Sequence, residues 1–345
     1  MNRSMEQLKL VIPGLVVKEY WPVLEQFAPR LSISHLEKLL SRGQQKNIGY
    51  AGLIGALFDI YDVQIPQGQD LPVAVFSRLG DGSQVDNSWW MCMESVHLRA
   101  DRDSIVLMPS DNLNLTMDEA KALASEIEQH FNDLNWHIEV LNPQRWYLRL
   151  PQAAKIITSP LNDVAGKHIN NYLPVGEEAR QWHALLNEVQ MLLHVHPINQ
   201  ARQVRGDLPI NGMWFWGGGS LPEIKKQAYT LYGSGSLERG VASYAGNAIN
   251  TCPDDYVTLC NQHKETSAPV VVLNQLNDAL STNDIPAWCE VINTLEENWF
   301  RPVRLALKKG ELKEMTIYGG DGSSFSTNTK MQRCFWKKRK SLFSY

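Results

Sequence analysis

The stretch His196-Pro197-Ile198-Asn199-Gln200-Ala201-Arg202-Gln203-Val204-Arg205-Gly206-Asp207-Leu208-Pro209-Ile210-Asn211-Gly212-Met213-Trp214-Phe215-Trp216-Gly217-Gly218-Gly219 is the most informative in the chain. It sets two asparagines and two arginines around a strand-like run, Ile210 to Trp216, that ends in three glycines. Glycine permits turns that aim backbone N–H groups at an anion. Arginine suits bidentate binding of phosphate or carboxylate, and open parallel sheets bind ligands at the carboxyl ends of their strands. Two readings stay open. Asn199, Arg202, Arg205, Asn211, Gly217, Gly218 and Gly219 form an anion site, or the glycines serve close packing alone.

Outward from this stretch, strands and helices alternate. Upstream, Trp182, Leu185, Leu186, Val189, Leu192 and Leu193 form the buried stripe of a helix over 177–196, stopped by Pro197. Downstream, Val270 to Leu273 reads as a strand covered on both faces. A helix capped by Asp284 follows, closed by Gly310, and Met315 to Tyr318 is a further strand. Toward the N-terminus, Leu8 to Ile12 is a strand ending at Pro13-Gly14. Ser34 to Ser41 is an amphipathic helix followed by Gly43, Ile48 to Tyr61 a buried helix, and Leu71 to Phe76 a strand. The segment 89–150 reads as an α/β unit of its own. It has a strand at Ser104 to Met108, a capping box at Thr116 and Glu119, and alternating strands at 136–140 and 145–150. This alternation predicts an α/β fold with a mostly parallel sheet flanked by helices.

The 345 residues are 43% hydrophobic and 20% charged, with net charge −4 and pI near 6.2. A weakly acidic chain has no global pull toward nucleic acid or anionic lipid, so no nucleic-acid partner is expected. One basic run, Lys337-Lys338-Arg339-Lys340, is either a solvated tail or a phosphate or membrane contact. The five cysteines, scattered and without a CxxC pair, fit reduced thiols. No apolar run approaches the roughly 20 residues of a membrane span, and Pro13-Gly14 interrupts the N-terminal apolar run. A cytoplasmic location is the expectation.

The pattern Asn-x-x-Arg-x-x-x-Gly-x-x-Pro-x-Asn-x-x-Trp-x-Trp-Gly-x-Gly, from Asn199 to Gly219, resembles the archaeal-type, cofactor-independent phosphoglycerate mutases of the alkaline phosphatase superfamily. The preceding Glu188-Val189-Gln190-Met191-Leu192-Leu193 is similar to a bacterial group called RpfE-type regulatory proteins. The run from Ala28 to Gly43 is similar to a helix of that superfamily. The resemblance implies an alkaline-phosphatase-like core over 1–85 and 165–345 and an inserted α/β subdomain over 86–164. The subdomain would present His97, Arg99 and Asp101 to a small phosphorylated or carboxylated ligand.

The departures bear on activity. The superfamily uses two divalent metals and a Ser or Thr nucleophile, which needs converging carboxylates and histidines. Where the mutases close the first strand with an aspartate, this chain reads Ile12-Pro13-Gly14. The later strands offer only Asp278 and Asp321, and no Asp-His dipeptide occurs. The histidines show no metal-ligand spacing, and no Gly-x-Ser-x-Gly elbow is present. Three functions follow as alternatives. One is a catalytically degenerate relative with a regulatory or ligand-binding role and no cofactor. Another is an active mutase or phosphohydrolase using Mn or Zn on Asp278 and Asp321, with Asp81 or Asp101 recruited. The third is a non-catalytic interaction module with a protein partner, its former site filled by tryptophans.

Overall fold

The structure is a computed structural model that describes residues 4–101, 104–109, 113–264, 266–334 and 336–345. Its strands in chain order are β1 (Met5–Val11), β2 (Gln44–Asn47), β3 (Trp89–Asp101), β4 (Ser104–Pro109), β5 (His137–Val140), β6 (Arg145–Leu150) and β7 (Ile156–Ile157). Then come β8 (Val175–Gly176), β9 (Gly212–Gly219), β10 (Tyr229–Tyr232), β11 (Ala248–Asn250), β12 (Ala268–Val272), β13 (Leu312–Tyr318) and β14 (Ser323–Asn328). Two compact units result. The first is Met1–Val63, Ile224–Glu238 and Ala242–Tyr345; the second is Gln64–Glu223 with Arg239–Val241.

The first unit holds a seven-stranded sheet in the order β11-β10-β12-β1-β13-β14-β2. Its first five strands are parallel; β14 runs against them, and β2, antiparallel to β14, shares their direction. This is the largely parallel, helix-flanked α/β sheet that the alternating pattern predicts. Strand alternation explains its two faces. Leu8, Leu10, Met315, Ile317 and Phe325 enter a core with Trp288, Trp299 and the leucines of the Ser34–Arg42 helix. The opposite face carries Lys9, Thr316 and Ser326 in one register row, and Tyr318 there donates to Asp59 of the Gly52–Ile60 helix at 3.0 Å. The Asp284 cap is present: its Oδ1 accepts from the Ala287 amide at 2.9 Å. A π-helical turn, Glu296–Phe300, joins that helix to the Arg301–Lys309 helix, which Gly310 ends at φ +83°. Gly43, by contrast, has an extended backbone and ends its helix without the left-handed turn.

The second unit is built on an antiparallel sheet. β3 pairs with β4, β6 and β9, and β5 with β6. The Met117–His130 and Ala179–His194 helices cover it. Trp136 and Trp182 stack at 6.2 Å, with Phe215 edge-on to both. The capping box forms: Thr116 Oγ1 accepts from the Glu119 amide, and Glu119 Oε2 from the Thr116 amide, both at 3.2 Å.

One expectation changes. Of Leu71 to Phe76, read as a strand, Val73 to Phe76 form the first half of a helix, Val73–Gly80. A run of four buried apolar residues has no periodicity that separates strand from helix; here packing against β3 and β9 favours the helix. In the second unit, β9 pairs with β3 and the flanking helices pack on the same sheet, so 64–85 and 165–223 lie there together with 86–164. Most tryptophans lie in the two cores, and all five cysteines are free thiols. Among the described residues, no helix is long and apolar enough to cross a membrane.

Candidate functional site

The residues of the central motif act first on one another. His196 accepts the Ile198 amide on Nδ1 at 3.1 Å, so Pro197 opens a second helix, Pro197–Arg205, rather than ending the chain's helical run. Asn199 is buried and fully used. Its Nδ2 donates to Leu193 O at 2.8 Å and Ile210 O at 2.7 Å, and its Oδ1 accepts from the Ile210 amide at 2.8 Å. Arg202, 0% exposed, donates to Leu208 O at 3.0 Å, to Glu119 Oε2 at 2.9 Å and to Leu113 O. Asn211 brackets Leu98, accepting its amide at 2.6 Å and donating to its carbonyl at 2.9 Å. His97 Nδ1 meets Pro209 O at 2.9 Å. These groups fasten helix Pro197–Arg205 and the start of β9 to β3 and to the Glu119 helix. Arg205 is half-exposed, paired with Glu119 at 2.6 Å and Asp207 at 3.1 Å. Arg99 and Asp101 are exposed near the end of β3. Burial pushes the Glu119 carboxyl up, but hydrogen bonds from Arg205 and the Thr116 amide, with the Arg202 charge, hold it below its ordinary value.

The three glycines lie at the other end of β9, about 17 to 24 Å from Gly212 at an antiparallel strand's rise. They sit within the strand, at a bulge against β3. Gly217 has φ +68° and meets Val73. A Cβ on Gly218 would lie 2.2 Å from the Trp89 ring, and one on Gly219 2.5 Å from Pro72 Cβ. Close packing therefore requires the triplet. Its amides do find an anion, supplied by the chain itself. The Gly218 amide donates to Asp70 Oδ2 at 3.3 Å, and the Gly217 amide to Thr158 Oγ1 at 2.9 Å, whose hydroxyl donates to the same carboxylate. Burial raises the Asp70 carboxyl above its ordinary value despite these bonds. The motif residues thus divide between two places along β9 and do not converge on one cleft.

The place where the family resemblance implies metals is the carboxyl end of β1, β12 and β13, and it is closed by backbone. Ile12 N donates to Tyr318 O, Val16 N to Gly319 O and Leu273 N to Val11 O, at 2.8 to 2.9 Å. Gly14, at φ +83°, leaves no room: a Cβ there would stand 2.8 Å from Asn277 N. Gly320, at φ +100°, abuts Gly14 N, and Trp288 Nε1 donates to Gly14 O at 2.9 Å. Asp321 accepts from Ser323 N at 3.1 Å and Ser323 Oγ at 2.6 Å. Asp278 is exposed on the Gln275–Ser281 helix, its carboxyl raised by partial burial. Asp81 lies in the second unit, held by Arg145, Tyr147 and Arg239. Among the described residues, no three His, Cys, Asp or Glu side chains group as metal ligands. The donors present do not fit a two-metal centre.

The sequence reading missed a cleft of about 520 Å³ at the carboxyl ends of β10 and β11, lined by Tyr232, Asn250, Thr251, Cys252, Asp254 and Thr258. Asp255 caps the Tyr256–Gln262 helix beside it. The cleft offers amides, hydroxyls and one carboxylate. Burial, with Asp254 nearby, pushes the Cys252 thiol up to about 11, so it is no ready nucleophile. The run Asn250-Thr251-Cys252-Pro253-Asp254-Asp255 is turn chemistry after a short strand, and that was the available signal.

No protein-family model matches the sequence. The 2,3-bisphosphoglycerate-independent phosphoglycerate mutase of Methanosarcina barkeri is 33% identical over 94 residues, 26% of this chain and 24% of that protein. Its counterpart in Methanosarcina acetivorans is 28% identical over 134 residues, 37% of this chain and 32% of that one. The chain thus matches about a quarter to a third of the length of these curated relatives. A solved structure of a Pyrococcus horikoshii protein superposes on 94% of this chain and 88% of its own, with TM-score 0.55 and 15% identity, a likeness of fold alone. Over part of its length, the chain is related to phosphoglycerate-mutase-like proteins.

Proposed function

We propose that this chain is a catalytically degenerate relative of the cofactor-independent phosphoglycerate mutases, kept for binding a small ligand in a regulatory role of the kind the RpfE-type resemblance implies. The observation that carries this reading is the closure at β1, β12 and β13. Gly14, Asn277 and Gly320 pack backbone on backbone where hard cations would need several carboxylates. Reopening it would separate parallel strands whose amides are paired there. The polar cleft beyond β10 and β11 has the size and hydrogen-bonding groups for a small ligand. Of the motif cations, Arg205 and Arg99 keep exposed surface for a phosphorylated or carboxylated one.

The test is purified protein incubated with manganese or zinc, with bound metal and interconversion of 2- and 3-phosphoglycerate measured on one sample. The expected result is neither stoichiometric metal nor turnover. Turnover that Asp321→Ala abolishes, with metal bound in proportion, would establish an active enzyme on a rearranged site.

A further inference from the structure

The basic run near the C-terminus belongs to none of these places, yet it is not a loose tail. Arg339 Nε pairs with Glu37 Oε2 at 3.2 Å, and the Lys340 amide donates to Ser41 Oγ at 3.1 Å. Arg333 Nη2 donates to Lys308 O at 3.1 Å, and Arg42 Nη1 to Gln332 O at 2.7 Å. The C-terminal segment therefore lies on two neighbouring helices of the first unit, Ser34–Arg42 and Arg301–Lys309. These pack on one another, and Leu36, Leu39, Leu40, Val303, Ala306 and Leu307 enter the same core. Beside that apolar seam, each helix carries a cationic stripe: His35, Lys38 and Arg42 on one, Arg301, Arg304 and Lys308 on the other.

Like charges crowded this way repel. The Arg304 charge, then burial, Arg42 and Lys38, draw the Lys308 ammonium below its ordinary value. Burial, then Arg304, Arg339 and Arg42, do the same to Lys38. The nearby carboxylates are occupied. Glu296 accepts the His35 and Leu36 amides at 2.6 and 3.0 Å, and Glu37 holds Arg339 and the Leu342 amide. Arg304 is 5% exposed and Arg42 8%. The Nε of each is buried with no hydrogen-bond partner, and Arg304 Nη1 has only a long 3.5 Å contact to His35 Nδ1. Buried guanidinium donors without an acceptor are costly. A multiply charged oxyanion would satisfy both the idle donors and the repulsion. Phosphate fits better than a carboxylate, because it carries more charge and more acceptor oxygens for several donors at once.

We infer that the seam between these two helices is a binding site for a phosphate-bearing anion, with Arg42 and Arg304 as buried donors and Lys38 and Lys308 at its surface. A free phosphate compound and a phosphorylated lipid headgroup share this chemistry.

The experiment uses the full chain. Thermal unfolding is followed against inorganic pyrophosphate at constant ionic strength, for wild type, K38Q/K308Q and R304M. Cosedimentation with phosphatidylcholine vesicles, with and without a phosphoinositide, is the second arm. The expected result is a saturable rise in Tm with pyrophosphate, its midpoint moved about tenfold or more by K38Q/K308Q. R304M should unfold no earlier than wild type without the anion, yet lose the response. Vesicle binding that pyrophosphate competes away and K38Q/K308Q abolishes would support the same site with a lipid source. An R304M variant that unfolds early, together with an unchanged pyrophosphate response in K38Q/K308Q, would overturn the inference. So would the absence of any saturable response, or binding to vesicles or an oligonucleotide that depends on Lys337 and Lys338 but not on Lys38 and Lys308.

Discussion

Replacing Arg202 by Met separates a ligand-facing arginine from one that holds the fold. Met fills most of the volume of the arginine stem, so the loss is polar. Arg202 donates to two backbone carbonyls, Leu208 and Leu113, and to Glu119. With Arg202 at 0% exposure, water is not at hand to replace it. Each orphaned carbonyl costs about 1–3 kcal/mol, and breaking a buried ion pair about 3–5 kcal/mol in all. Glu119 would retain Arg205 at 2.6 Å and the Thr116 amide, which places the total near the lower bound, about 3 kcal/mol. In a unit of this size that is roughly 10 °C in Tm. Arg205→Met, whose side chain is 52% exposed, should cost much less, because a solvated ion pair is largely screened. Urea unfolding followed by tryptophan fluorescence, without ligand, compares the two variants directly. If R202M proves as mild as R205M, Arg202 does not fasten the motif.

Gly14→Ala should destabilise by about 1–3 kcal/mol more than Gly49→Ala, since a Cβ at position 14 meets Asn277 N whereas position 49 is open at a similar φ; equal melting temperatures would remove the tight closure at β1. Acidification should weaken the second unit. Burial raises Glu119 and Glu139, but Arg205 in one case and Arg78 in the other hold them below ordinary values. Their stabilisation is present above the unfolded value of about 4.3 and is lost as pH falls through the lower folded values. E119Q/E139Q should therefore flatten the fall in Tm between about pH 5 and 3, and an unchanged slope would remove these carboxylates as its cause.

The largely parallel sheet was legible because Leu8 to Ile12, Val270 to Leu273 and Met315 to Tyr318 are short β-rich runs bounded by turn residues and helices. The Thr116 box and the Asp284 cap were legible because a cap needs only residues close in sequence. What the sequence did not disclose is partner choice. Nothing local to Gly212–Gly219 says that β9 lies antiparallel on β3, more than a hundred residues away. That pairing moves the whole stretch into the second unit. Nor does an arginine announce its burial: Arg202 and Arg205 are three residues apart on one helix, yet one is sealed and the other half-solvated. Asp70, far in sequence from Gly218, takes its amide, and Thr158 takes that of Gly217, so neither is left for an outside anion.

The two edges of the seven-stranded sheet have a consequence for how this protein fails. An edge strand recruits another chain when it is long, flat and apolar. Here one edge, β11, is three residues long. The other, β2, is Gln-Gln-Lys-Asn, exposed throughout. Neither offers a usable template for cross-chain pairing. Heated or concentrated protein should resist fibril growth from these borders, and any precipitation should await loss of the sheet itself.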